Sequence, residues 1–230
     1  MIFAIFLAVQ VVLAAPKAPP PPVELPPTVV LARYAAALAR LREPRIVSFD
    51  YMLEQTGTRT MEQSHRVFRK GTNERDETLA VNGKRLAPPS VRIFRGRRNR
   101  YSVLTLAPRL EKYTFAYVGP KRNGGHIDYV FSLEPKAAAR FAITLVTIDG
   151  VHFLPSSLAF HTGSHAGTGT FNFGGRASWW VPFGATAHAK IGMDTADERL
   201  TFSEYRFPTD LPPSTFSEPR ALPTFAPAPF

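Results

Sequence analysis

The chain contains no cysteine. That excludes disulfides, thiolate metal sites, a cysteine nucleophile and a lipidated N-terminal cysteine, so the fold must be held by burial alone. Nucleophile signatures are missing as well: there is no G-x-S-x-G elbow and no S-x-x-K followed by its β-lactamase companions. Carboxylates are scarce relative to cations, with 18 Asp and Glu against 28 Lys and Arg, for a formal net charge of +10. Beyond the first residues no apolar run approaches the roughly 20 residues of a membrane-spanning helix, which argues against a multi-pass helical membrane protein.

One apolar run is present. Residues 2–13 are apolar except Gln10, and Ala14 and Ala15 follow. Its length suits the h-region of a secretory signal, with cleavage after Ala14 keeping Pro16 away from the +1 position. No Lys or Arg precedes the run, and a buried N-terminal strand or an uncleaved anchor is the alternative. The expected division is a signal peptide at 1–14, a Pro-rich linker at 15–27, one β domain at 28–207 and a weakly ordered Pro-rich tail at 208–230. Fourteen of the 22 prolines fall in those two flanking segments, and proline cannot enter a central ladder. Export turns the positive charge away from nucleic acid and toward anionic lipid, lipopolysaccharide or acidic glycan.

Residues 28–42 read as a helix. Leu31, Tyr34 or Ala35, Leu38 and Leu41 recur at helical spacing, Thr28 can cap the start, and Pro44 stops it. After that the period becomes two. Val47, Phe49, Tyr51 and Leu53 alternate with polar neighbours, and Asn82-Gly83 is a short-hairpin signal. Further strands are expected through 61–69, 75–81, around Tyr113–Tyr117, Ile127–Leu133 and Phe141–Thr147, and then over 157–162, 169–173, 177–181, 186–191 and 199–207. The 163–175 stretch, rich in Gly, Ser and Thr, reads as a flexible hairpin or lid. Asp194, Asp197 and Glu198 read as a turn between the last two strands. The fold class is therefore mainly β with one or two helices: a curled antiparallel sheet, a half-open β-barrel, covered by an N-terminal helix.

The helix and the strand Ser48-Phe49-Asp50-Tyr51-Met52-Leu53-Glu54-Gln55 resemble the opening of the LolA-like periplasmic carriers. Ile148-Asp149-Gly150 with Pro155, and Phe202-Ser203-Glu204-Tyr205-Arg206-Phe207, are similar to later strands of that family. The resemblance implies a half-open barrel whose helix-covered concave face holds acyl chains of a lipid or lipoprotein. Two departures stand out. Phe68-Arg69-Lys70-Gly71 replaces the family's aromatic-Pro-Gly-Arg pattern, and the only candidate for a lid helix is the Ala-rich stretch at 136–140.

Two constellations are candidates for binding. Phe49, Tyr51, Leu53, Tyr113, Phe115, Tyr117, Tyr129, Phe131, Phe141 and Ile143 crowd single strand faces. In a closed sandwich they would be core; in a curled sheet the surplus lines an acyl-chain cavity. Arg92, Arg95, Arg97, Arg98 and Arg100 sit within nine residues without an intervening acid, flanked by Val91, Ile93, Tyr101 and Val103. They read as a hairpin tip, either merely solvated or gripping headgroup phosphate in bidentate fashion. His161 and His165 lie in turn-like sequence, and His65, His126 and His188 read as polar-face residues, so no metal or other cofactor is expected. The expected function is an envelope binding protein, not an enzyme, for a lipid or a lipidated protein. An arginine-led docking protein for anionic membrane surfaces is the alternative, and an unrecognised hydrolase a more remote one. Nucleic acid is not an expected partner.

Overall fold

The computed structural model describes residues 23–58, 60–97, 99, 101–163, 167–191 and 194–217. The expected signal peptide, most of the linker, Arg98, Arg100, His165 and the end of the tail lie outside the described residues.

The first element is helix α1 (Pro27–Arg40). It begins one residue before Thr28, with Pro26 as its cap residue and Pro27 at the first helical position, where a missing N–H and a preset φ do no harm. Val30 and Tyr34, four apart on one face, are fully buried. Four strands follow: β1 (Ile46–Gly57), β2 (Met61–Lys70), β3 (Asn73–Val81) and β4 (Lys84–Phe94). Asn82 and Gly83 join the last two with φ of 50° and 73°, both positive as a two-residue hairpin turn requires.

The chain then crosses through a short helix α2 (Val103–Leu106), capped by Ser102, whose Oγ accepts from the Thr105 N–H at 3.2 Å. Seven strands complete the fold: β5 (Tyr113–Asn123), β6 (His126–Pro135), β7 (Phe141–Ile148), β8 (Pro155–Thr162), β9 (Gly167–Arg176), β10 (Trp179–Ile191) and β11 (Asp194–Arg206).

Among the described residues these eleven strands form one antiparallel sheet, ordered β4-β3-β2-β1-β11-β10-β9-β8-β7-β6-β5. The first and last strands pair near the middle, and β4 and β5, adjacent in sequence, are the two open edges. Irregular register at Ser48/Asp50, Thr78/Ala80, Tyr117/Gly119 and Pro182/Gly184 adds bend and twist. The result is the expected mainly β, curled and unclosed sheet with an N-terminal helix. No helix among the described residues is long and apolar enough to cross a membrane.

Several local expectations change. Residues 136–140 form no helix; the second helix is α2, which takes up Val103, expected in a strand flanking the arginines. Arg92 therefore lies in edge strand β4, and Arg95 and Arg97 follow it at the start of the crossover, not at a hairpin tip. Strands expected at 177–181 and 186–191 are one strand, β10, with its irregularity at Pro182/Gly184. Of the hairpin or lid expected at 163–175, residues 167–176 form strand β9, paired with β8 as in a hairpin, while Asp197 and Glu198 pair with His188 and Ala187 inside the ladder instead of forming a turn.

Both flanks are partly docked. The Leu25 N–H donates to Tyr129 Oη at 3.1 Å, and the Tyr117 hydroxyl donates to Glu24. On the tail, Leu211 is buried, Lys70 Nζ lies 2.6 Å from Asp210 Oδ1, and Arg75 donates to the Thr215 carbonyl.

The core explains what positions the site. Val30 and Tyr34 of α1 and Val103 of α2 pack with Tyr129, Phe131, Ile143, Val146, Ile148, Leu158, Phe171 and Phe173, all from β6 to β9. The Tyr34 hydroxyl donates to the Pro108 carbonyl at 2.7 Å, tying the helix to the crossover. The helix thus fills one half of the curled sheet and leaves the β1–β4 half less covered.

Candidate ligand cavity

In that less covered half lies a cavity of about 440 Å³. Its size falls within the usual range for small-molecule sites. One wall is apolar: Val47, Phe49, Tyr51 and Leu53 come from β1, Val67 from β2, Val181 from β10, and Leu200 and Phe202 from β11. Leu41 at the end of α1 and Tyr101 to Leu104 of the crossover face them. Alternation along β1 puts Phe49, Tyr51 and Leu53 on one face, and its antiparallel pairing with β11 places Phe202 opposite Tyr51. Phe49 contacts Phe202 edge-on at 5.9 Å and Tyr205 at 5.3 Å between ring centroids.

The adjoining part of the same sheet face, on β2 to β4, is charged and ordered. Arg69 and Glu74, cross-strand partners on β2 and β3, are both more than nine-tenths buried and form an ion pair. The second oxygen of Glu74 accepts from Arg97 at 3.2 Å, and the Arg97 guanidinium lies over the Phe94 ring at 4.2 Å. Burial pulls the Arg69 guanidinium below its ordinary pKa despite the neighbouring Glu74 and Glu43. Its Nε is buried without a hydrogen-bond partner.

Next to this group, Asp76 gathers three donors. Arg92 Nη2 donates to Oδ2 at 2.8 Å, the Tyr51 hydroxyl donates to the same oxygen at 3.2 Å, and His65 Nδ1 lies 2.8 Å from Oδ1. The other histidine nitrogen, Nε2, is 3.1 Å from Gln63 Oε1. Burial works to raise the Asp76 carboxyl, yet its hydrogen bond and charge contact with His65, together with Arg92 and Tyr51, hold it below the ordinary carboxylate value. Burial, then the Asp76 charge, pushes the Tyr51 phenol up. Three guanidiniums thus meet two carboxylates along this wall, while Arg42, Glu43 and Glu198 also belong to the lining.

The expected binding residues divide. Phe49, Tyr51 and Leu53 line the cavity. Tyr113, Phe115, Tyr117, Tyr129, Phe131 and Ile143 instead belong to the packed core or lie against it, on the half that α1 covers; Tyr129, Phe131 and Ile143 are at most 2 % exposed. Phe141 is exposed and packs against Phe160 at 5.1 Å, away from the cavity. Among the arginines, Arg92 and Arg97 line the cavity, Arg95 is exposed and outside the lining, and Arg98 and Arg100 lie outside the described residues.

Sequence reasoning missed Arg69, Glu74, Asp76 and His65. The available signal was the alternation His65, Val67, Arg69, which puts a histidine and an arginine on the buried face of β2 opposite the acids of β3. His65 is 1 % exposed and so is not the polar-face residue expected. A second cluster the sequence did not suggest, His126 with Asp128 and Asp149, lies outside this cavity.

An open antiparallel sheet with an N-terminal helix against its concave face is the LolA-like architecture that the helix and first strand implied. Among solved structures, the chain is similar to a LolA superfamily protein of Nitrosomonas europaea, at 14 % identity and a TM-score of 0.46, covering 85 % of this chain and 99 % of that one. It is also similar to a domain assigned to outer membrane lipoprotein sorting from Vibrio parahaemolyticus, at 16 % identity and a TM-score of 0.47 over 81 % and 95 % of the two chains. A DUF1329 family protein from Desulfovibrio piger stands at 11 % identity and a TM-score of 0.47 over 82 % and 97 %. No protein-family model matches the chain, and no curated protein matches it.

Proposed function

We propose that this chain is an exported envelope binding protein that holds a lipid, an acyl chain or a lipidated partner in the β1–β4 cavity. The observation that carries this reading is the cavity's divided lining. Phe49, Tyr51, Leu53, Leu200 and Phe202 offer an apolar surface, and Arg69, Arg92 and Arg97 stand beside it, the first two on the neighbouring strands of the same sheet face. An acyl chain gains about 0.8 kcal/mol for each CH₂ removed from water. The Arg92 and Arg97 guanidiniums in the lining suit an acceptor oxygen of a carboxylate, ester or phosphate. Export is supported by the apolar run at 2–13, and an envelope location follows from it. Binding is passive in this reading, and no bond is made or broken.

Native mass spectrometry on gently purified protein tests the reading. Co-purifying lipid masses, or saturable uptake of a fluorescent fatty acid that weakens when Arg97 is replaced by Ala, are the expected results. A clean apo mass together with no fatty-acid binding would overturn it.

A second reading, docking on anionic membrane surfaces, is favoured by the net charge of +10 and the exposed Arg92 and Arg95. It predicts vesicle binding that requires anionic lipid and weakens with salt.

A further inference from the structure

We propose that His126, Asp128 and Asp149 form a binding site for a divalent transition-metal ion, of which zinc is the natural probe. The residues come together through the sheet. His126 and Asp128 are two apart on β6 and share a face. The antiparallel register Tyr129↔Ile148 carries the chain beyond β7 so that Asp149 arrives beside Asp128. Approach there is tight enough to require glycine at the next position: a Cβ on Gly150 would sit 1.8 Å from the Ile127 carbonyl oxygen.

The carboxylates are fixed from behind. Asp128, 2 % exposed, accepts from the Gly150 N–H at 3.1 Å on Oδ1 and from Asn123 Nδ2 at 3.0 Å on Oδ2. Asp149, 8 % exposed, accepts from the backbone N–H groups of Val151 and His152 on Oδ1, at 3.1 and 2.6 Å. His152 Nδ1 lies 2.9 Å from that same oxygen. These bonds hold the carboxylates in place beside His126.

His126 Nε2 stands between those two oxygens, 3.1 Å from Asp128 Oδ1 and 3.4 Å from Asp149 Oδ2. The nitrogen is buried, yet it makes a well-aligned hydrogen bond to neither. One ligand atom from each of the three residues therefore lies within 4.8 Å of the other two, and the His126 nitrogen is left without a hydrogen-bond partner among them. Zinc bonds of about 2.0–2.2 Å to imidazole nitrogen and carboxylate oxygen imply tetrahedral donor–donor edges of roughly 3.3–3.5 Å, close to the separations seen. An imidazole among two carboxylates selects a borderline divalent metal over calcium or magnesium. Two aspartates balance the ion's charge, and the His126 side chain, one-third exposed, places the site just beneath the surface. With three protein donors, at least one coordination position belongs to water. Bound metal would clamp the β5–β6 hairpin to the β7–β8 turn. None of these residues lines the acyl cavity, so the two proposals fail independently.

The test uses full-length, tag-free protein stripped with EDTA and titrated with Zn²⁺ by calorimetry, with unfolding temperature followed in parallel. Wild type is expected to bind one equivalent and to unfold at higher temperature with zinc. His126→Gln and Asp128→Asn should each weaken binding at least 100-fold and lose the thermal gain, while His188→Gln, at a surface His–Asp pair, keeps both. His126→Gln is the informative variant if Asp128→Asn does not fold, because no well-aligned hydrogen bond of the His126 ring is lost. Wild type that takes up no zinc at micromolar concentration, or a folded His126→Gln that binds as wild type does, overturns the proposal.

Discussion

The phenol ring of Tyr51 lies flat on the imidazole of His65, with centroids 4.4 Å apart and planes within 6° of parallel. The two residues are direct cross-strand partners on β1 and β2, so the stack is set by register. Both rings also meet Asp76, and Tyr51 faces the cavity while His65 is sealed beneath it. The polar wall of the cavity is therefore anchored in a buried network, and its arginines are held by that network in defined positions.

Asp76 is the hub of that network, and its replacement has a pH signature. Its carboxyl titrates lower in the folded protein than in the unfolded chain, so the stabilisation is complete above the ordinary carboxylate pKa and is lost as pH falls below about 4 toward the folded value. Asp76→Asn removes the charge that Arg92, Tyr51 and His65 meet there and should lower stability by about 1–3 kcal/mol at pH 7. Urea unfolding at pH 7 and pH 3 should show that deficit shrinking at the lower pH. An equal deficit at both would mean that the carboxylate charge is not its source.

The two halves of the curled sheet should answer differently to substitution. Leu200→Trp puts bulk into the β1–β4 cavity and should lower fatty-acid affinity at least tenfold, with only a modest change in stability. Ile143→Ala, in the packed half and 1 % exposed, should cost about 2–5 kcal/mol while leaving ligand affinity of the folded protein unchanged. Fluorescent fatty-acid titration and denaturant midpoints on both variants separate the effects. Equal loss of binding in both would contradict the division of the sheet.

Tyr34→Phe removes a single buried hydroxyl that donates to the Pro108 carbonyl. Because the ring still fills its site, the expected loss is about 1–2 kcal/mol, from the carbonyl left unpaired. Thermal unfolding should show it, and amide exchange in α1 should accelerate more than in β8.

Gly169 faces Phe160 across the β8–β9 pair, and a Cβ there would meet the Thr186 carbonyl oxygen at 2.1 Å and a Phe160 ring carbon at 2.6 Å. The carbonyl belongs to the neighbouring strand and cannot yield without shifting the ladder. Gly169→Ala should therefore destabilise by about 1–3 kcal/mol. Gly175→Ala, whose Cβ would find only two Trp180 ring carbons at 3.9 and 4.0 Å, should be neutral to slightly stabilising. Paired melting curves check the contrast.

Much of the architecture was legible from residue order. Strand β1, the Asn82-Gly83 hairpin and the strands around Tyr113–Thr147 follow from period-two alternation and turn chemistry, both local properties of the backbone. The helix was legible too, but its start was misplaced because two prolines outcompete Thr28 for the first turn. The arginine stretch was read as a hairpin tip because apolar residues flank it on both sides. In the structure Val103 serves a helix that packs on the core instead.

By itself, then, the sequence determined that this protein is a curled antiparallel sheet behind one helix, since side-chain period and turn residues act over a few positions. Tertiary structure alone decided which aromatic face is core and which is cavity. Val30 and Tyr34 fill the half built from β6 to β9, strands roughly a hundred residues away, and leave Phe49, Tyr51 and Leu53 facing open space. It alone decided that Arg69, Glu74 and Asp76 stand at that cavity and that His126 meets Asp149. Those meetings depend on strand register and on the approach of elements distant in sequence, which alternation along a single strand does not fix.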